Sequence, residues 1–164
     1  MNEKLARRLL QMSELHGDFV LSSGKRSDIY FDKFLFLTDP GMLEELANEV
    51  ASMIPTGITH VASPEGAATL LLASVGLRTR LPMAVVRKEA KTYGTRSQVE
   101  GYAPEGARVA LIEDVSTTGH QTLNAAHALE AAGAEIEVII LTIDRGGADA
   151  LRGEGYEVLS VASL

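Results

Sequence analysis

Two adjacent carboxylates and a loop of small hydroxylated residues stand together in the second half of the chain. Glu113 and Asp114 follow the apolar run 109–112. The loop 116–119, Ser-Thr-Thr-Gly, comes next and leads into an Ala- and Leu-rich stretch of helical character. Carboxylates accept hydrogen bonds from sugar hydroxyls, while the N–H groups of such a loop and the dipole of the helix behind it attract a phosphate. The spacing therefore predicts a phosphosugar site, in which Gly119 lets the backbone approach the ligand closely.

Basic residues are concentrated in the segment that precedes this motif. The segment 78–96 contains a single acid, Glu89, and six basic residues: Arg78, Arg80, Arg87, Lys88, Lys91 and Arg96. The chain as a whole is acidic, with a net charge of −7, which disfavours a nucleic-acid partner. A local cluster of cations on an acidic protein favours a small anionic ligand, although a solvated basic loop is the alternative reading.

Length and composition favour one cytoplasmic domain. A chain of 164 residues with 46% hydrophobic residues is long enough to build a core. It contains no cysteine, which excludes disulfides and thiol chemistry. No apolar run approaches the roughly 20 residues that a membrane-spanning helix needs, and residues 1–12 lack the apolar core of a signal peptide. We therefore expect a cytoplasmic location and no membrane partner.

Strand and helix patterns alternate along most of the chain. Strands are predicted at 58–62, 83–87, 108–112, 135–143 and 156–161, and helices at 39–53, 67–75, 121–132 and 148–153. This alternation predicts an α/β fold with a mostly parallel five-stranded sheet flanked by helices.

The first 38 residues do not share this alternation. The pattern predicts a helix over 3–16 that ends at Gly17, followed by short strands at 19–21 and 29–31. We interpret residues 1–38 as an N-terminal helix and small hood and residues 39–164 as the core, within a single domain.

Polar segments follow four of the predicted strands. They are 63–66, 87–89, 113–119 and 144–147. Ligands in open α/β sheets bind beyond the carboxyl ends of the strands. We therefore expect these four segments to form one composite site.

Four segments resemble one known family. They are HGDFVLSSGKRSDIYFD at 16–32, RKEAKTYGT at 87–95, IEDVSTTG at 112–119 and LTIDRGG at 141–147. Together they resemble the type I phosphoribosyltransferases over about residues 5–160, and the combination favours the orotate branch over the purine branches. The resemblance implies a type I phosphoribosyltransferase fold.

The resemblance also implies a reaction. Orotate and 5-phosphoribosyl-1-diphosphate would give orotidine 5′-monophosphate and diphosphate, with Mg²⁺ held through the substrate and no direct protein ligand. It implies catalytic roles for Lys88, Lys91, Glu113 and Asp114. Arg145 and Thr117 would bind orotate. The residues implied to bind the phosphoribosyl diphosphate are Arg87, Lys88, Lys91, Tyr93, Glu113, Asp114, Val115, Ser116, Thr117, Thr118, Gly119, His120 and Gln121.

Composition predicts a mobile lid, and the resemblance adds a dimer. The segment 90–101 is polar, contains two glycines and has no apolar periodicity, which is typical of a loop that closes over substrates. In the family part of this loop reaches the neighbouring subunit's site, which implies a homodimer with shared active sites.

Three residues depart from the family pattern. Many orotate enzymes carry lysine where this chain has Ser22 and Glu65, and histidine where it has Tyr93. These departures leave open a phosphoribosyltransferase for another base, or a regulator that binds the phosphosugar without turnover. A dinucleotide-dependent dehydrogenase is disfavoured because no GxGxxG follows a predicted strand.

Overall fold

A six-stranded sheet lies at the centre of the computed structural model, which describes residues 2–20, 24, 26–90, 97–101 and 105–164. A two-stranded sheet lies beside it. The elements are, in chain order, α1 (Glu3–Ser13), β1 (Glu14–Val20), β2 (Arg26–Phe31), α2 (Lys33–Leu37), α3 (Pro40–Met53), β3 (His60–Pro64), α4 (Ala68–Thr79), β4 (Met83–Val86), β5 (Val99–Gly101), β6 (Arg108–Ser116), α5 (His120–Ala131), β7 (Glu135–Asp144), α6 (Gly147–Gly153) and β8 (Val158–Ser163).

The large sheet has the order β5-β4-β3-β6-β7-β8. The five predicted strands are all present and pair in parallel, which confirms the predicted α/β fold. The sixth strand, β5, is antiparallel to β4 and lies in the segment predicted as a polar loop. Its three residues include one large apolar side chain, Val99, so the segment carries too little pattern to predict a strand.

Helices cover both faces of this sheet. Side chains of α1 to α4 pack on one face with Ala110 and Ile112 of β6. Side chains of α5 and α6 pack on the other face with Val109 and Leu111 of the same strand. Because successive residues of a strand point to opposite faces, a strand that is apolar at every position is buried on both sides.

The order of the strands reverses at β3. The chain passes from β3 to β4 on one side, whereas β6 pairs with β3 on the other side. Helix α4, which follows β3, and helix α5, which follows β6, therefore lie on opposite faces. Such a reversal opens a crevice at the carboxyl ends of the two strands, and ligands of open α/β sheets bind there.

The N-terminal segment differs from its prediction in detail. Helix α1 ends at Ser13, and Gly17 lies inside β1, so the predicted helix end at Gly17 is wrong. β1 and β2 form an antiparallel hairpin whose register shifts between His16 and Phe19. The division into a hood (1–38) and a core (39–164) stays a prediction, although Leu5 and Leu9 of α1 are buried in the core cluster of α3 and α4.

Two further differences affect the site. The short helix α2 was not predicted, and Asp32 caps its first turn by accepting a hydrogen bond from the Phe34 N–H at 2.9 Å. Strand β6 continues to Ser116, four residues beyond its predicted end at Ile112. None of the helices in the described ranges combines the length and the apolar character that a bilayer crossing requires.

Candidate active site

The four polar segments meet at the carboxyl edge of the sheet, as the strand order requires. The Glu65 N–H donates to the Val86 carbonyl at 2.7 Å, which joins the ends of β3 and β4. The Arg145 N–H donates to the Ser116 carbonyl at 2.8 Å, which joins the ends of β6 and β7. The four segments therefore lie along one edge of the sheet, and that they form one functional site stays a prediction.

The acidic pair lies on β6 itself, not in a loop after it. Because consecutive strand residues point to opposite faces, the two carboxylates diverge. Glu113 faces α5, where its Oε2 accepts a hydrogen bond from the Thr122 hydroxyl at 3.1 Å. Asp114 faces α2, where it meets Lys33. The two acids therefore have different neighbours and different electrostatic environments.

Glu113 is held in an environment that favours its neutral form. Its side chain is buried, and the negative charge of Asp114 is adjacent. Burial first, and then the charge of Asp114, raise the pKa of Glu113 from an ordinary 4.5 to about 8. The hydrogen bond from Thr122 acts in the opposite direction but is smaller.

This raised pKa predicts a loss of stability at alkaline pH. The unfolded chain releases the Glu113 proton near pH 4.5 and the folded chain near pH 8. The stabilisation is therefore complete below pH 4.5 and is lost as the pH rises towards 8. We expect Glu113→Gln, which stays neutral, to raise the thermal midpoint relative to wild type at pH 9 more than at pH 5. Melting curves at both pH values measure this, with the exposed Glu154→Gln as the control, and an identical difference at both pH values would contradict it.

Asp114 is buried and paired with a lysine that the sequence pattern did not indicate. The side chain of Asp114 is 1% exposed, and Lys33 Nζ lies 3.0 Å from its Oδ2 and 3.2 Å from its Oδ1. The Val115 N–H also donates to Oδ1 at 2.6 Å. Lys33 directly follows the N-cap Asp32 of α2. That N-cap is the sequence signal that would have indicated a helix starting at Lys33.

The loop 116–119 has the geometry of an anion site. Gly119 adopts a left-handed conformation (φ 76°) as the N-cap of α5 and supplies no side chain to its first turn. The first N–H groups of a helix without a side-chain cap are available to an anion. A Cβ on Gly119 would also lie 2.9 Å from the Gly147 carbonyl. Glycine at this position is therefore required by both conformation and space.

Arg145 joins the hood to this loop. Its guanidinium carbon lies 4.3 Å from the centre of the Phe31 ring, which places the cation over the aromatic face. The exposed Thr117 lies in the neighbouring loop, after β6. Phe31 and Arg145 also line a cavity of about 490 Å³ together with Tyr30. Arg145 and Thr117 therefore flank the same edge, and the cavity combines two aromatic rings and the Arg145 cation with the carboxylates of Glu14 and Asp28.

Arg87 and Lys88 follow β4 on the other side of the crevice. Together with His120 and Gln121 at the start of α5, they line a cavity of about 230 Å³. Arg87 Nε is buried and has no hydrogen-bond partner among the described residues. Four of the residues implied to bind the phosphoribosyl diphosphate thus line one cavity. Val115 and Thr118 lie at the end of β6 and in the following loop.

Glu65 is held against this basic segment. Its Oε1 accepts a hydrogen bond from the Lys88 N–H at 2.9 Å, and its Oε2 lies 4.0 Å from Arg87 Nη1. The negative charge that departs from the family pattern is thus compensated by a neighbouring cation and a backbone donor. Glu65 acts here as a tether for the segment that leads into the predicted lid.

Neutralising Glu65 is expected to strengthen the binding of an anion beside it. Glu65→Gln keeps an oxygen for the Lys88 N–H and removes the charge near Arg87. We expect diphosphate to bind about threefold more tightly, a modest gain because solvent screens the interaction between half-exposed charges. Calorimetric titration of diphosphate measures the change. Glu65→Ala, which also removes the tether, should not tighten binding, and an unchanged affinity in Glu65→Gln would contradict the placement of the anion here.

Some predictions fall elsewhere or outside the described residues. Lys91, Tyr93 and Ser22 lie outside the described residues. Arg78 and Arg80 lie at the end of α4, before β4, and line a groove with Glu44 of α3. They are therefore at the opposite edge of the sheet from Arg87, and the basic segment 78–96 does not form one cluster. The length of β4 separates Arg78 and Arg80 from Arg87. A count of charges along the sequence does not show this separation.

The described part of the chain contains no group of three or more His, Cys, Asp or Glu side chains that would cage a metal. The expectation that Mg²⁺ is held through the substrate stays a prediction.

Comparison with known proteins gives a consistent result. No family model matches the chain. An orotate phosphoribosyltransferase of Thermococcus gammatolerans is 44% identical over 152 residues, which cover 90% of this chain and 80% of that protein. An orotate phosphoribosyltransferase of Methanocella arvoryzae is 37% identical over 164 residues, which cover 98% of this chain and 94% of that protein.

Solved structures show the same similarity. The crystal structure of orotate phosphoribosyltransferase from Aeropyrum pernix matches with a TM-score of 0.82 at 34% identity, covering 98% of this chain and 93% of that chain. The Mycobacterium tuberculosis orotate phosphoribosyltransferase in complex with 5-phospho-α-D-ribosyl 1-diphosphate matches with a TM-score of 0.77 at 26% identity, covering 98% and 94% of the two chains. An adenine phosphoribosyltransferase at 21% identity shares the fold, with a TM-score of 0.75.

Proposed function

Because the chain belongs to the orotate phosphoribosyltransferase family, we propose that it transfers the phosphoribosyl group of 5-phosphoribosyl-1-diphosphate to orotate. The products are orotidine 5′-monophosphate and diphosphate, and the reaction belongs to pyrimidine biosynthesis. The observation that carries the proposal is the meeting of four loops at one sheet edge, with a cationic segment, a buried acid and a helix N-terminus side by side. The phosphoribosyl donor is a highly charged phosphate ester that does not cross membranes unaided, which supports a cytoplasmic activity.

The chemistry needs charge stabilisation more than covalent catalysis. The bond between the anomeric carbon and the diphosphate oxygen breaks, a bond from that carbon to the orotate ring nitrogen forms, and that nitrogen releases its proton to the departing diphosphate or to solvent. Positive charge develops on the ribose and negative charge on the departing diphosphate. Groups fixed in place before the reaction stabilise such charges without reorganising, so positioning and electrostatics account for most of the acceleration.

We assign the diphosphate to the segment after β4. Arg87 and Lys88 supply the positive charge, and the buried Arg87 Nε is a donor with no partner among the described residues. Lys91 and Tyr93 would add contacts when the lid closes. The cavity shared by Arg87, Lys88 and the start of α5 supports this assignment.

The same arrangement suggests where the phosphoribosyl group binds. The 5′-phosphate would lie at the uncapped N-terminus of α5, held by the N–H groups of residues 116–121. The Asp114 carboxylate would accept hydrogen bonds from the ribose hydroxyls and stabilise the developing cation. Glu113, which faces α5 and has a raised pKa, would lie on the face of β6 opposite to the ribose. From there it would hold Thr122 and Asp114 in place.

Orotate would be held between the loop after β6 and the loop after β7. Arg145 offers two parallel donors to the orotate carboxylate, and Thr117 offers a hydroxyl to the ring. The contact of Arg145 with Phe31 supports its orientation towards the cavity beneath the hood. When bound to the diphosphate, Mg²⁺ would neutralise its charge and make it a better leaving group.

We also propose a homodimer with shared active sites. Several large apolar side chains of the single chain remain exposed, among them Val20 and Leu77, each 69% exposed, and Phe34, 51% exposed. Single exposed apolar side chains are ordinary on monomers, so the proposal rests on the family resemblance, and these side chains are candidates for the surface that a second copy would cover.

The loss of orotate absorbance on addition of 5-phosphoribosyl-1-diphosphate and Mg²⁺ tests the function. We expect turnover with orotate and none, or far less, with uracil, adenine or hypoxanthine. Turnover with another base alone would show a different phosphoribosyltransferase. Binding of the donor by calorimetry with no turnover of any base would show a regulator.

A further inference from the structure

We propose that Lys33 is a positioning residue for the transfer: it holds the Asp114 carboxylate in place, and it ties the hood to the ribose site. The proposal rests on the function proposed above. It concerns a residue that lies 81 positions from its partner in the chain and outside all four loops at the carboxyl edge.

The contact is close, and only one of its two partners, Asp114, is buried. Lys33 Nζ reaches both oxygens of Asp114, at 3.0 Å and 3.2 Å. Asp114 is 1% exposed, whereas Lys33 is 39% exposed. The carboxylate is therefore fixed inside the protein, while the ammonium approaches from the solvent side. Such a lysine can adjust its position when a ligand arrives, and the buried acid cannot.

Two donors fix the Asp114 carboxylate. Lys33 Nζ contacts both of its oxygens, and the Val115 N–H at 2.6 Å supplies one further donor to Oδ1. Among the described residues, Lys33 is the basic side chain that forms an ion pair with Asp114. Without Lys33 the carboxylate would lose the side-chain contact that fixes its position in the ribose site.

The other charged groups near the end of β6 do not replace Lys33. On β7, Asp144 accepts hydrogen bonds from the Gly146 and Ala148 N–H groups at 3.0 Å and 3.1 Å, so it caps the following turn. Beyond β3, Glu65 is bound to the Lys88 N–H. Arg145 lies over Phe31. The charge balance at Asp114 is therefore set by Lys33 from α2 and by Glu113 from its own strand.

The position of Lys33 also connects the two substrates. Phe31, at the end of β2, contacts Arg145 on the orotate side, and Lys33, two residues later, contacts Asp114 on the ribose side. A shift of the segment 31–33 on binding of one ligand moves a group that contacts the other. Because such coupling is reciprocal, orotate and the phosphoribosyl donor should alter each other's affinity through this segment.

The test compares Lys33→Met and Lys33→Arg, with Lys4→Met on the exposed face of α1 as the matched control. The first measurement is the binding of 5-phosphoribosyl-1-diphosphate by calorimetry at one fixed pH. We expect binding to weaken by about threefold or more in Lys33→Met, because the carboxylate that would accept the ribose hydroxyls is no longer held in place. Lys33→Arg should restore the wild-type affinity, and Lys4→Met should not change it.

A double-mutant cycle with Asp114→Asn then separates positioning from general stability. If Lys33 acts through Asp114, Lys33→Met lowers kcat by about tenfold or more in the wild-type background but has little effect in the Asp114→Asn background. Additive losses would overturn the proposal, as would an unchanged affinity for the donor in a folded Lys33→Met protein. Wild-type turnover is recorded alongside. Its absence would refute the proposed function, while the donor affinities would still decide the role of Lys33.

Discussion

Replacement of Lys88 by alanine is expected to lower turnover of orotate by about a hundred- to a thousandfold. Lys88 follows β4 and lines the cavity that we assign to the diphosphate. The negative charge on that group increases as its bond to the ribose breaks. A cation beside it therefore contributes more in the transition state than in the bound substrate, and its removal lowers kcat more than affinity.

Two measurements isolate this effect. Binding of orotidine 5′-monophosphate, which lacks the diphosphate, should weaken far less than kcat falls. Lys88→Arg keeps the charge and should retain more activity than Lys88→Ala, while the exposed Lys4→Ala should behave as wild type. Equal losses in kcat and in nucleotide binding would remove Lys88 from the transition-state role.

The sequence patterns predicted the sheet well because its strands are long, apolar and buried on both sides. β6 and β7 carry such runs. Some helices also have clear start signals, as α3 does at Asp39 and Pro40. The composite site followed from this order alone, because parallel strands bring their carboxyl ends to one edge.

The patterns were less informative where an element was short or a side chain crossed to a distant partner. The apolar run of β6 stops at Ile112, but the strand continues through Glu113 and Asp114 because parallel pairing with β7 extends to Ser116. Had the strand been continued, its period of two would have placed the two acids on opposite faces. Lys33 was missed because α2 is five residues long and its contact with Asp114 depends on the packing of the hood, not on spacing.

Local charge density was also a poor guide to proximity. Six basic residues in the segment 78–96 suggested one anion site. The strand β4 separates Arg78 and Arg80 from Arg87, and among the described residues of the segment Arg87 and Lys88 line the crevice. Glu65 shows the reverse effect, since its charge looked unfavourable in sequence and is compensated by Lys88 and Arg87 in the structure.

Shared active sites predict that two inactive variants restore activity when mixed. Lys91→Ala removes a cation from the lid that the family resemblance implies reaches the neighbouring subunit, and Asp114→Asn removes the ribose carboxylate. Each variant alone should be nearly inactive. In a mixed dimer one site combines the intact lid of one subunit with the intact Asp114 of the other, so that one of its two sites works.

The expected recovery can be calculated from random association. After equal amounts of the two variants are dissociated and reassembled, half of the dimers are mixed, and about a quarter of the wild-type activity should return. If each lid served its own subunit, every site would lack one group and no activity would return. Reassembled single variants are the controls for damage during the treatment.

A second mixture turns this comparison into a decision between the two arrangements. Wild type is combined with the double variant Lys91→Ala and Asp114→Asn in equal amounts. With lids exchanged between subunits, both sites of a mixed dimer are defective, so about a quarter of the activity remains, from wild-type dimers. With each lid on its own subunit, every wild-type chain keeps its site and about half remains. The two mixtures must indicate the same arrangement. Lids exchanged between subunits restore activity in the mixture of single variants and lower it in the mixture of wild type with the double variant.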